Sequence, residues 1–281
     1  MRLIRFFNNN GEIRPGILQG NLIIDLKKVF PDIPDISETF FKEGWIETIA
    51  SATLPKASKL DVHISYPVCC PSKIICLGKN YIEHAKEGGF DLPKKPLIFS
   101  KSANTLTGPF DPVIMPKTSS QVDWEVELAV IIGKQGKGIS KQDAHSYVAG
   151  FTVMNDVSAR DVQFSESQWF RGKSFDTFAP LGPSIVTPDE IGGLDKAQNL
   201  RLTAKVNGKI MQDGNTKDMI FDIPSIIEDI SQDMTLMPGD IISTGTPAGV
   251  GIFRNPPILL KSGDIVECEV EKIGIIRNVF K

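Results

Sequence analysis

Histidine is scarce in this chain. His63, His84 and His145 are the only three, which excludes a histidine-rich zinc or haem centre, so any metal would have to be held by oxygen. Cysteine is nearly as rare. Cys69, Cys70, Cys76 and Cys268 form no C-x-x-C pair, and the adjacent pair is poorly placed for an ordinary disulfide. Buried free thiols in a reducing compartment are the expectation. Neither sign of charge dominates: the net charge of −3, with Lys and Arg scattered, argues against a nucleic-acid or anionic-membrane partner. No apolar run reaches the length that spans a bilayer, and residues 1–10 lack the apolar core of a secretory signal. A cytoplasmic location is expected.

Several nucleotide and hydrolase signatures are missing by one residue. Gly172-Lys173-Ser174 lacks the glycine that a phosphate-binding loop needs five positions earlier, where Ser167 stands. Gly136-x-Gly138 has Lys141 in place of the third glycine of a dinucleotide fingerprint, and Gly182-Pro183-Ser184-Ile185-Val186 lacks the last glycine of a serine-hydrolase elbow.

What is present centres on Asp123-Trp124-Glu125-Val126-Glu127, which runs into the apolar residues 128–132. With strand periodicity, Val126, Leu128, Val130 and Ile132 share one face, and Glu125, Glu127, Ala129 and Ile131 the other. Residues two apart on a strand are roughly 6.5–7 Å apart, so both carboxylates can converge on one cation. Held where water is scarce, they would otherwise repel and drift toward protonation. The same E-x-E pair also reads as the solvated face of an edge strand.

The length allows one large domain or two smaller ones. Residues 3–7, 16–19 and 22–26 read as strands around the turns Asn10-Gly11 and Gly20-Asn21, followed by a helix over 37–49. Residues 54–71, with Pro55, Pro67 and Pro71, read as a linker. A small, mostly β N-terminal domain (1–70) is therefore expected before a larger one (71–281). Within the latter, strands are expected over 74–77, 96–101, 150–155, 200–206, 209–212, 241–244, 265–270 and 274–280, with helices over 141–148, from 157 through Gln163, and over 225–231. Strands outnumber helices, so the fold class is α+β with a large mixed sheet.

Three further stretches bear on chemistry. Asn80 reads as the N-cap of a short helix that Gly88-Gly89 ends. On it His84 and Glu87 stand at i and i+3, either a general-base dyad or a surface pair. The double glycine makes this segment a candidate lid. Asp156 follows an apolar strand and is either a functional acid or a helix N-cap. The loop Gly245-Thr246-Pro247-Ala248-Gly249-Val250-Gly251 can aim backbone N–H groups at an anion, although such loops are more often only tight turns.

In order along the chain, Gly78-Lys79-Asn80-Tyr81-x-x-His84-Ala85-x-Glu87, Asp123-x-Glu125-x-Glu127-Leu128, Asn155-Asp156-x-Ser158-Ala159-Arg160-Asp161, Gly172-Lys173-Ser174-Phe175-Asp176-Thr177 and residues 244–251 together resemble the fumarylacetoacetate hydrolase family, from about residue 74 to the end. The resemblance implies a mixed β-sheet roll with flanking helices, assembled as a homodimer. It implies that Glu125, Glu127 and Asp156 bind a divalent cation. Three hard oxygens with no His or Cys select Mg²⁺, Mn²⁺ or Ca²⁺. It further implies that His84, Glu87 and Lys173 are catalytic, and that Arg160, Gln163, Thr246 and Gly245 lie on the side of the substrate's 2-oxo acid end. Larger tyrosine-catabolic members carry their catalytic histidine in a different, longer segment, which argues against fumarylacetoacetate itself as substrate. The expected activity is hydrolysis of a C–C bond in a 2,4-dioxo acid, giving pyruvate or another 2-oxo acid plus a carboxylic acid. Decarboxylation of oxaloacetate, a lyase reaction or keto–enol isomerisation are alternatives on the same scaffold, and a non-catalytic metal-binding scaffold is the third.

Overall fold

The computed structural model describes residues 1–59 and 62–281. Residues 60 and 61, part of the expected linker, lie outside the described residues. The elements form an α+β molecule dominated by sheet. An eleven-stranded sheet runs Leu22–Asp25, Ile13–Gln19, Arg2–Phe7, Ala179–Val186, Val148–Asn155, Val126–Ile132, Ile241–Ser243, Ile74–Gly78, Leu97–Lys101. Two short strands, His63–Ser65 and Leu106–Thr107, attach off this path. Ile241–Ser243 is parallel to Ile74–Gly78 and antiparallel to Val126–Ile132, so the sheet is mixed. A second, four-stranded sheet is built from Lys209–Asn215, Arg201–Val206, Ile265–Val270 and Gly274–Val279.

The carboxylate strand Val126–Ile132 is buried at all seven positions. Its alternation holds: Val126, Leu128, Val130 and Ile132 pack with Leu202, Ala204, Val266 and Val270 of the second sheet. Ala129 and Ile131 pack on the other side with Ile36, Phe40, Phe41 and Ile49. A central strand buried on both faces has no solvated edge, and this disposes of the edge-strand reading of Glu125 and Glu127. Helix Ile223–Asp233 closes the first core with Ile223, Ile226, Ile227 and Ile230, a stripe at helical spacing, and Asp222 caps it by accepting from the Ser225 N–H at 2.9 Å.

Several local expectations change. The helix over 37–49 is two, Glu38–Lys42 and Trp45–Ser51, divided at Gly44 with φ +71°. The helix over 141–148 is only a 3-10 turn, Ala144–Tyr147, because Val148 pairs with Ile132 in the sheet. The linker contributes His63–Ser65, paired to Arg2–Phe7. Asn80 does not cap the helix Ile82–Glu87, whose N-cap is Tyr81. Instead its side chain accepts from Phe221 N and donates to the carbonyls of Phe221 and Thr244.

Candidate active site

Two neighbouring strand ends bring three acids together. Val126–Ile132 and Val148–Asn155 run antiparallel with Val126 opposite Asn155, so Asp156, one step beyond its strand, lies beside Glu125. The Asp156 N–H donates to the Glu125 carbonyl at 2.9 Å, and the Glu125 N–H to Asn155 Oδ1 at 3.0 Å. Oxygens of Glu125, Glu127 and Asp156 lie within 4.8 Å of one another, all three residues buried.

Cations interleave with these acids. Lys173 Nζ is 2.8 Å from both Glu125 Oε2 and Asp156 Oδ2. Lys101 Nζ donates to Asp156 Oδ1 at 2.6 Å and to the Val157 carbonyl at 3.1 Å. Arg160 Nε donates to Asp123 Oδ2 at 2.9 Å and its Nη1 to Gln163 Oε1 at 3.0 Å. Its Nη2 stands 2.7 Å from Glu125 Oε1, an ion pair out of hydrogen-bond alignment, which we rank as charge contact only. Burial alone would raise Glu125, but Lys173 and Arg160 overcome it and hold this carboxylate below its ordinary value.

Glu127 is the exception. Its Oε2 accepts from Ser243 Oγ at 2.5 Å and from the Gly245 N–H at 2.9 Å, both neutral donors. Burial, then the charges of Asp156 and Glu125, push it well above the usual carboxylate range. Four buried acids, counting Asp123, thus face three buried cations, and the uncompensated charge falls on Glu127. Three converging hard oxygens with one charge unmatched fit a divalent cation of the Mg²⁺, Mn²⁺ or Ca²⁺ kind.

The helix Ile82–Glu87 borders the cleft over this cluster through His84. His84 Nδ1 is 2.8 Å from Glu87 Oε1, and Glu87 Oε2 accepts from the Gly249 N–H at 2.9 Å. His84 is 7% exposed and lines a narrow cleft together with Glu125, Arg160, Gln163, Lys173 and Thr246. Such burial is not that of a surface salt pair. With Glu87 on Nδ1, Nε2 is the ring nitrogen left to exchange a proton. The Thr246 hydroxyl is committed, donating to the Val126 carbonyl and accepting from Gln212 Nε2, and the Gly245 N–H is committed to Glu127.

Lys101, Asp123, Gln212 and Ser243 join the cluster without having been singled out for it in the sequence. Asp123 accepts from Arg160 and from the N–H groups of Gly251 and Ile252, tying the glycine loop to the acids. A lysine or acid at the end of an apolar strand was the available signal, since burial of a charge requires a partner.

Fold and site define a class: an α+β scaffold with a buried carboxylate triad able to hold a divalent metal and a hydrogen-bonded His84–Glu87 pair beside it. The chain belongs to the fumarylacetoacetate hydrolase family: residues 73–281 match the model of the fumarylacetoacetate (FAA) hydrolase C-terminal domain. Human mitochondrial oxaloacetate tautomerase FAHD2A is 46% identical over 266 residues, 92% of this chain and 84% of that one. Among solved structures, the fumarylacetoacetate hydrolase of Exiguobacterium antarcticum superposes with a TM-score of 0.84 at 35% identity, covering 100% of this chain and 99% of that one. The 5-carboxymethyl-2-hydroxymuconate delta-isomerase of Mycobacterium smegmatis does so with 0.78 at 35%, covering 100% and 98%. This chain is thus an enzyme-family member with relatives named for tautomerisation, isomerisation and hydrolysis. Among the described residues, no helix is long and apolar enough to cross a membrane.

Proposed function

We propose that this protein is a divalent-metal-dependent keto–enol tautomerase of a small 2-oxo acid of the oxaloacetate type, with Mg²⁺ or Mn²⁺ as the metal. The observation that carries it is the proton-transfer group over the acid cluster: His84, oriented by Glu87, beside Glu125, Arg160, Gln163, Lys173 and Thr246, which are held in ion pairs or hydrogen bonds. Glu125, Glu127 and Asp156 hold the metal, which when bound supplies Lewis-acid polarisation of the 2-oxo group. In the keto-to-enol direction, the proton on the carbon beside that group passes to His84 Nε2. The C–H electron pair becomes the carbon–carbon double bond, the carbonyl π pair moves onto the oxo oxygen, and that oxygen takes up the proton the imidazolium gives back, directly or through water, which restores His84. Glu87 stabilises the imidazolium meanwhile, and Lys173 and Arg160 offset the charge on oxygen. Gln163, Thr246 and Gly245 frame the 2-oxo acid end, the last two through the loop they hold. The name carried by the 46% identical relative supports this order of preference.

Hydrolysis of a 2,4-dioxo acid is the second reading, favoured by the carboxylate behind His84, since the same dyad can take a proton from water. Every site side chain belongs to residues 71–281, and residues 1–70 extend the sheet through Arg2–Phe7; we keep that division as the domain boundary. The four cysteines are free, Cys76 and Cys268 buried as expected but Cys69 only partly buried and Cys70 exposed to solvent, and free thiols fit a reducing compartment such as the cytoplasm. The sheet ends on an apolar strand, Leu97–Lys101, which we take as part of a homodimer interface.

The test supplies enol-oxaloacetate, then acetylpyruvate in ¹⁸O-water, to purified Mg²⁺-loaded protein. Accelerated loss of enol absorbance without pyruvate is the expected result. Pyruvate plus ¹⁸O-labelled acetate from acetylpyruvate, with no effect on the enol, would replace tautomerisation by hydrolysis.

A further inference from the structure

Among the described residues, the cleft contains a cation that no acid pairs with. Arg160 and Lys173 are both occupied by Asp123, Glu125 and Asp156. Lys79 lines the same cleft, half-buried, and among the described residues its ammonium forms no ion pair; it stands 3.9 Å from the centre of the Phe90 ring. Its backbone is unusual as well. Lys79 has φ +57°, the left-handed region that glycine fills by default.

The neighbours show how that conformation is imposed. A Cβ at Gly78 would lie 2.5 Å from Cζ3 of Trp169, so the chain must pass that ring as glycine. Asn80, buried, is pinned on its other side to the backbone of Phe221 and Thr244. Between two fixed points the turn at residue 79 would be served at less cost by glycine. A long cationic side chain sits there instead, directed along the cleft wall and braced on an aromatic face.

We propose that Lys79 receives the far carboxylate of a dicarboxylic 2-oxo acid whose 2-oxo acid end faces Glu125, Arg160 and Lys173. This makes Lys79 a residue that selects dicarboxylic over monocarboxylic substrates. The inference rests on the site being a 2-oxo acid site. A monocarboxylic substrate leaves the ammonium as it is, whereas a dicarboxylic one adds a charge-assisted hydrogen bond in a partly desolvated place, a gain of roughly 10–100-fold in affinity.

A stable pair that differs only at the far end tests this without turnover: malate carries a carboxylate where 2-hydroxybutyrate carries a methyl group. Both are titrated calorimetrically into Mg²⁺-loaded wild type, Lys79→Met and Lys79→Arg. The wild type is expected to prefer malate by roughly 10–100-fold. Lys79→Met should abolish the preference while binding 2-hydroxybutyrate as before, and Lys79→Arg should keep it. Equal losses for both acids in Lys79→Met would make Lys79 only a latch on Phe90. A preference that survives in Lys79→Met, or is absent from the wild type, would equally overturn the assignment. Binding of neither acid would remove the 2-oxo acid reading and this inference with it, whereas binding of 2-hydroxybutyrate without a malate preference removes Lys79 alone.

Discussion

Glu125 and Glu127 share a strand face and differ in everything that sets their charge. Lys173 and Arg160 keep the first ionised, and the second has only a hydroxyl and an amide N–H for company. Burial, then Asp156 and Glu125, raise the Glu127 pKa, so the metal-free folded chain binds a proton there more tightly than the unfolded chain does. A raised carboxylate contributes stability that is full below the unfolded value, about 4.3, and is lost as pH rises through the folded value. A divalent cation bound by the three acids would take the place of that proton. Titrating Mn²⁺ into the protein in buffers of different ionisation enthalpy should show proton release, with affinity rising with pH. Chelation should lower the Tm more at alkaline than at mildly acidic pH, and Glu127→Gln should lose most of the affinity. Proton-neutral binding with a flat pH profile would contradict this account of Glu127. The acids themselves were legible as E-x-E and Asn-Asp in sequence. Their individual pKa directions were not, because Lys101 and Ser243 reach them from strands that no local pattern ties to the acids.

The candidate lid helix Ile82–Glu87 is six residues long, too short to persist by itself. It is held from the far side of the cleft by the Gly249 N–H on Glu87 and by Phe253, whose ring lies 6.0 Å from that of His84 and 5.8 Å from that of Phe90. His84→Ala is expected to lower kcat by roughly 10²–10⁴, the usual loss of a general base, with Mn²⁺ affinity unchanged. Amide exchange over residues 79–89 should slow when oxalate and Mg²⁺ are added. Wild-type turnover in the variant would demote the dyad, and exchange indifferent to oxalate would rule out a lid. Elements with local signals were readable: Asn207-Gly208 turns its hairpin with φ +50° and +79°. Ala179–Val186 was not, although it sits near the middle of the main sheet. Pro180, Gly182 and Pro183 contradict a central strand by composition, and its pairing with Val148–Asn155 absorbs them through a register shift between Phe151 and Val153. Tertiary pairing overrode propensity there, as it did at Val148.

For the whole molecule, the question is what covers the end of the eleven-stranded sheet. Leu97–Lys101 is its terminal strand on the path, with Leu97 40% and Ile98 38% exposed. The helix Phe170–Lys173 packs on this strand and on the helix Arg160–Ser165, and these two helices expose Phe170 (50%) and Phe164 (51%). An apolar strand with a free edge, flanked by exposed aromatics, invites pairing with another chain unless something occupies it. A second copy would satisfy it by two-fold symmetry, the same patch serving both partners. Light scattering should therefore give twice the chain mass for the wild type. Ile98→Lys, a charge at the centre of the patch, should shift the mass toward the monomer, and Phe170→Ser should do so more weakly, since it leaves the strand edge intact. Because the patch adjoins the cleft through Phe164 and the strand that ends in Lys101, the monomeric variant should keep its Mn²⁺ affinity, set by the buried acids, while its KM rises. A wild type that stays monomeric, or an Ile98→Lys variant that stays dimeric, would place the interface elsewhere or remove it.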